Sequence, residues 1–181
     1  MTSSRKIKKT FKTEKINNMQ KINTLVWLGL IIALLFISIS CKKESTVYSK
    51  YYYFEKQEWS SKDTAKFRVD ILDTTSLCDV NIKIRHGELY PYSNLYVFLT
   101  TIYPDNRKQT DTIECILANS KGEWYGSGLG DLYDITLPIK KNVRFAKSGV
   151  YQFYFVQAMR QDPLPNISEF GFEIIRVSKN R

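Results

Sequence analysis

The chain has 181 residues, with 27 Lys/Arg against 18 Asp/Glu and a formal charge of +9, a balance that would suit a nucleic-acid partner if it lay on a folded surface. Residues 1–40 supply +6 of it, from Arg5, Lys6, Lys8, Lys9, Lys12, Lys15 and Lys21 against Glu14; the other 20 Lys/Arg and 17 Asp/Glu leave +3, so no nucleic-acid partner is expected. One histidine, His86, and three cysteines without a C-x-x-C pair argue against a zinc centre, and no metal or cofactor is expected.

In chain order, the first feature is the uncharged apolar run LVWLGLIIALLFI at 25–37, preceded by Lys21 and followed by Ser38, Ile39, Ser40 and Cys41. It falls short of the about 20 apolar residues of a membrane-spanning helix and has the proportions of the apolar region of a secretory signal. Small residues leading into a cysteine resemble the cleavage box of bacterial lipoproteins, in which that cysteine is acylated and becomes the mature N-terminus. Ser38 departs from that pattern, since an aliphatic residue is more usual there. Residues 1–40 are expected to be a cleaved lipoprotein signal, with Met19 as the expected true start, and Cys41 the lipidation site that contacts the membrane. An anchor helix that is never cleaved is the competing reading.

Residues 41–50 read as the lipidated cysteine and a polar tether without periodicity, and 51–181 as one domain. The segments 67–71 and 80–84 alternate apolar and polar residues, as strands with one wet face do. A longer run at 94–103 and further strands at 112–117, 143–145, 150–157 and 170–177 follow, with turn residues at 90–93, 104–107, 119–122, 147–149 and 163–166. The expected fold is all-β, a single antiparallel β-sandwich of seven or eight strands behind the cleaved signal.

The stretch GEWYGSGLGD at 122–131 holds four of the chain's eight glycines. A phosphate loop would need a helix behind it, whereas strand-like residues and Pro138 follow. The glycines are expected to form a wide turn between strands, by positive φ or by letting another strand pass close. Tyr48, Tyr51, Tyr52, Tyr53, Phe54 and Trp59 are expected to cover a sandwich edge and fill the core in preference to stacking on sugars. Trp124, Tyr125, Tyr90 and Tyr92 are the candidate contacts to a partner or ligand. Cys78 and Cys115 read either as a disulfide permitted by export or as two buried thiols. No G-x-S-x-G elbow accompanies His86, and Glu114, Glu123, Asp131 and Asp134 are the only obvious source of a carboxylate pair, so the chain is not expected to be an enzyme.

Trp59, YPYSNLYVF at 90–98, DTIE at 111–114 with Leu117 and Ala118, GEWYGSGLGD at 122–131, SGVY at 148–151 leading to QAMR at 157–160, and LPNISEFGFEI at 164–174 together resemble the gliding-motility lipoprotein family GldH. The resemblance spans almost all of 41–177. It implies a non-enzymatic, lipid-anchored protein of the Bacteroidetes cell envelope, needed by a gliding apparatus linked to type IX secretion, with other gliding or secretion envelope proteins as partners. No catalytic residue is carried over. The alternative is a lipid-tethered module that binds glycans or another ligand. Thr64 and Thr112, each between Asp and an apolar residue, resemble O-glycosylation sites of that phylum. Only one acid, Glu44, follows Cys41 closely, which favours a periplasm-facing anchor; nothing in the sequence signals an oligomeric state.

Overall fold

The computed structural model describes residues 45–177, so the expected signal, Cys41 and the start of the tether lie outside it. Strand β3 (Ala65–Ile71) follows the expected pattern directly. Ala65, Phe67, Val69 and Ile71 are buried, while Lys66, Arg68 and Asp70 between them face water. The same period turns Leu95, Val97, Leu99 and Thr101 inward along β5 (Asn94–Ile102), and Tyr151, Phe153, Phe155 and Gln157 inward along β9 (Gly149–Gln157). With β6 (Lys108–Ile116) these strands make a four-stranded antiparallel sheet in the order β3-β9-β5-β6.

The second sheet has five strands in the order β1-β11-β4-β8-β7, again antiparallel throughout. They are β1 (Ser45–Tyr53), β4 (Cys78–Gly87), β7 (Ser127–Leu129), β8 (Leu132–Val143) and β11 (Ile167–Arg176). Aromatic rings lock the two sheets together: Phe153 meets Phe172 at 4.6 Å between centroids and Phe155 meets Phe170 at 4.9 Å. These tilted contacts add to the area that each ring removes from water. A two-residue ladder of β2 (Glu58–Trp59) and β10 (Leu164–Pro165) buries Trp59 and Leu164 beside them. Eight strands of seven residues or more thus carry the expected sandwich.

Two boundaries differ from the sequence reading. In its described part, the segment expected as tether is strand: residues 45–50 open β1, pairing with Arg176 through Phe172 of β11. A bulge between Thr46 and Tyr48 shifts the register there, and a bulge erases the period of two by which a strand is recognised. Residues 143–145, expected as a separate strand, are instead the end of β8 and its exit, because β8 runs unbroken through Pro138. β7 pairs only with residues 132–134, so Pro138 sits where β8 is an edge and needs no amide on its open side.

The aromatic cluster behaves as expected. Phe54 and Trp59 are buried, Tyr48 and Tyr52 pack on the core, and Tyr51 and Tyr53 lie exposed on the outer side of the edge strand. Cys78 and Cys115 are free thiols, both buried, and burial pushes the Cys115 thiol up to about 12. Of the two readings, buried thiols hold.

Candidate functional site

The inward face of β4 runs Val80, Ile82, Ile84 and, two residues on, His86, which is fully buried. Its neighbours across the sheet are Ile167 of β11 and Tyr133 of β8. The imidazole Nδ1 lies 3.0 Å from the Gly87 carbonyl oxygen. A carbonyl only accepts, so Nδ1 carries the proton and Nε2 presents a lone pair. Among the described residues, that Nε2 is buried without a hydrogen-bond partner. Aromatic rings surround it: Trp124 edge-on at 4.5 Å, Tyr90 at 5.6 Å and Tyr133 stacked at 5.7 Å.

Trp124 is brought there by a tightly fastened lariat. The amides of Leu117 and Ala118 both donate to the Ser93 carbonyl, at 2.8 and 3.0 Å, and the Tyr125 amide donates back to Leu117 at 2.8 Å. Asn119 ties the tip, its side-chain oxygen accepting from the amides of Lys121 and Glu123 and its NH2 donating to the Glu123 carboxylate at 2.6 Å. The glycines that follow set the next strand against β8. A Cβ on Gly126 would stand 2.6 Å from the Asp134 carbonyl oxygen, so only glycine lets the two backbones approach this closely, and Gly130 turns the hairpin at φ +69°. The stretch therefore turns a corner and passes close to a strand, as expected; strand and not helix lies behind it.

Of the four candidate contacts, three share this cluster and one is exposed beside it. Trp124 is half-buried over His86. Tyr92, also half-buried, packs edge-on against Tyr90 at 5.9 Å and donates to Gln161 at 2.9 Å. Tyr90 is only 4 % exposed and donates to the Asn94 carbonyl at 2.9 Å, so it packs the cluster from inside. Tyr125 is 60 % exposed beside them. Sequence reading left out His86 and Tyr133 as members. The alternation Val80, Ile82, Ile84, continued by two residues, is the signal that would have placed His86 on the inner face.

Elsewhere the candidates are dispersed. Thr112 is exposed on β6 opposite Phe98, and Thr64 is half-buried just before β3. Asp134 is held by Arg85 at 2.7 and 2.9 Å on the outer face of one sheet, Glu114 is tied to Asn94 at 2.7 Å on the other, and Glu123 belongs to the lariat. These carboxylates form no pair, and among the described residues no group of three or more His, Cys, Asp or Glu side chains is placed to hold a metal ion.

Burial lowers the His86 pKa, so the folded protein excludes a proton that the unfolded chain binds near the ordinary value of 6.5. The stability this contributes is present above pH 6.5 and is lost as pH falls below it towards the folded value, with a slope of at most about 1.4 kcal/mol per pH unit. His86→Phe is expected to flatten thermal stability between pH 7 and 5 relative to the parent chain. Parallel losses in both proteins would show that the imidazole titrates alike folded and unfolded.

Comparison with known proteins gives a consistent result. The sequence pattern described as GldH lipoprotein matches residues 46–174. A protein of Christiangramia forsetii named gliding motility lipoprotein GldH homolog is 34 % identical over 142 residues, covering 75 % of this chain and 86 % of that protein. The gliding motility lipoprotein GldH of Flavobacterium johnsoniae is 26 % identical over 153 residues, covering 81 % and 94 %. Among solved structures, an arabinose-bound α-L-arabinofuranosidase aligns at 10 % identity with a TM-score of 0.36, over 74 % of this chain and 20 % of that one, a likeness too slight to carry an argument.

Proposed function

Because the chain belongs to the GldH lipoprotein family, we propose that it is a non-enzymatic part of the gliding apparatus, coupled to type IX secretion, and held to the envelope through an acylated Cys41. The observation that carries this reading is the family match, which runs from the first described strand into the last. The geometry is consistent with a scaffold: the carboxylates are dispersed, and the lone imidazole is buried among rings.

The proposed contact to other envelope proteins is the lariat, where exposed Tyr125 adjoins half-buried Trp124. It lies at the end of β4 that carries His86, about eight residues or ~27 Å along the strand from Cys78, at the end where β1 begins. A chain anchored before β1 would therefore hold this surface away from its lipid. A periplasm-facing orientation completes the proposal.

In-frame deletion in the native host is expected to abolish surface gliding and to impair export of type IX cargo, and a Cys41→Ala allele is expected not to restore either. Normal gliding and export in the deletion strain would overturn the reading. Digestion of the domain by protease added to whole cells would overturn the proposed orientation alone.

A further inference from the structure

At the end of the sandwich opposite Trp124, the two sheets part. A cavity of about 230 Å³ enters between them, lined by Val80, Leu99, Ile139, Val143, Phe145 and Phe153. Val80, Leu99 and Phe153 are core residues, at most 6 % exposed, so the cleft reaches the interior instead of denting the surface. Thr101 stands on its wall, 8 % exposed. An apolar cavity of this size, well above the roughly 30 Å³ share of one water molecule, favours apolar occupants over water.

Its mouth has the opposite character. Arg107, Lys140, Arg144 and Lys147 ring the opening. Asp105 bridges Arg107 and Lys147 at 3.0 and 2.9 Å, and these two cations hold its carboxyl well below the usual carboxylate range. Lys140 and Arg144 have no ion pair among the described residues, and both are exposed. Asp79, another carboxylate at this end, is turned to the Asn142 amide at 2.7 Å. The rim thus offers two uncommitted cations above an apolar channel, the complement of a molecule with an apolar body and an anionic head.

The same end is where the chain enters the domain. Ser45 pairs with Arg176, Arg176 with Cys78, and Cys78 with Val143 at the cleft. Ser45 lies four residues on from Cys41, and four residue steps span at most about 14 Å when extended. If Cys41 is acylated, the start of β1 is within that reach of a membrane; this proximity rests on the proposed anchor, while the cleft and its charges do not.

We propose that the cleft binds an anionic amphiphile, its acyl chain lying between the sheets and its carboxylate or phosphate head held by Lys140 and Arg144. Two charge-assisted contacts would replace water around the head, and the Thr101 hydroxyl on the wall would face a polar atom near the top of the chain. The source is either a free fatty acid or an anionic membrane phospholipid, which share this chemistry.

The mature full-length protein is reconstituted in phosphatidylcholine vesicles and irradiated with one of three diazirine-bearing probes: palmitic acid, palmitoyl phosphatidylglycerol, or hexadecylamine. Peptide mapping is expected to find label from the acid, the phosphatidylglycerol, or both, on residues 139–145 and 151–153; which of the two labels identifies the source. Lys140→Ala with Arg144→Ala is expected to lower that label by about tenfold or more, since each cation contributes a charge-assisted bond. Leu99→Trp should block it by filling the channel; the exposed rim variant keeps the test intact if the Trp variant fails to fold. Equal labelling by the amine, label confined to other surfaces, no label from either anionic probe, or an unchanged rim variant would each overturn the proposal. The intact mass of the same sample reports acylation of Cys41 separately, so failure of the anchor and failure of the cleft are distinguishable.

Discussion

Trp59→Ala is expected to destabilise the domain by about 3–5 kcal/mol, the range for emptying a large aromatic site in a core. Trp59 is fully buried on a strand of only two residues, so its own ladder contributes little to holding it. Packing holds it instead. The indole stacks on Phe54 at 4.6 Å and meets Phe170 at 5.0 Å, joining the residue that leaves β1 to the core strand β11. Its N–H donates to the Asp63 carbonyl at 2.9 Å, which fixes the turn that leads into β3. Truncation leaves a cavity beneath Phe54 and an unpaired carbonyl, and the loss is a large fraction of the roughly 5–15 kcal/mol by which domains are stable. Trp59→Phe keeps most of the ring contact and drops the hydrogen bond, for an expected cost nearer about 1 kcal/mol from the bond itself. Urea unfolding of both variants checks this. Equal losses in the two would mean that the hydrogen bond, and not the packing, is the main contribution.

Gly126→Ala is expected to cost about 1–3 kcal/mol, the range for forcing an extra methyl group into a filled space. The obstacle is backbone: the new Cβ would stand 2.6 Å from the Asp134 carbonyl oxygen and 3.0 Å from its carbon, and neither can rotate away. The chain between Tyr125 and β7 must therefore move off β8. Trp124 lies two residues before it and is held by the lariat, so the displacement should reach the ring that covers His86. The expected signature is a red-shifted Trp124 emission, read on residues 41–181 in a Trp59→Phe background, where Trp124 is the one tryptophan left. An unshifted emission with full stability would show that β7 has room that the close approach denies.

How far the sequence could be read varied with what each element required. β3 and the middle of β4 alternate apolar and polar residues and were legible by that period, while β5 and β9 were legible as apolar runs bounded by turn residues and show their period of two only in the burial of the folded sheet. β1 was not, since its bulge and its place at an edge leave no alternation to find. The strand-like residues before Pro138 and the strand expected at 143–145 belong to one strand, β8; Pro138 is tolerated within it because β7 is too short to cover that part of β8. Among the candidate contacts, the sequence offered Tyr90, Tyr92, Trp124 and Tyr125 as equals. Folding separated them, burying Tyr90, half-burying Tyr92 and Trp124 and leaving Tyr125 in water.

The sequence by itself determined the class of fold, the glycine-shaped corner at 122–131 and the family, because alternation, turn chemistry and motif order are properties of residues near one another along the chain. Only the tertiary structure decided that His86 lies beneath Trp124, that Cys78 and Cys115 stay apart as thiols, and that Lys140 and Arg144 stand at the mouth of an apolar cleft. Those facts depend on which strands become neighbours across two sheets. Strand pairing joins residues as far apart as Ser45 and Arg176, and no local pattern records that choice.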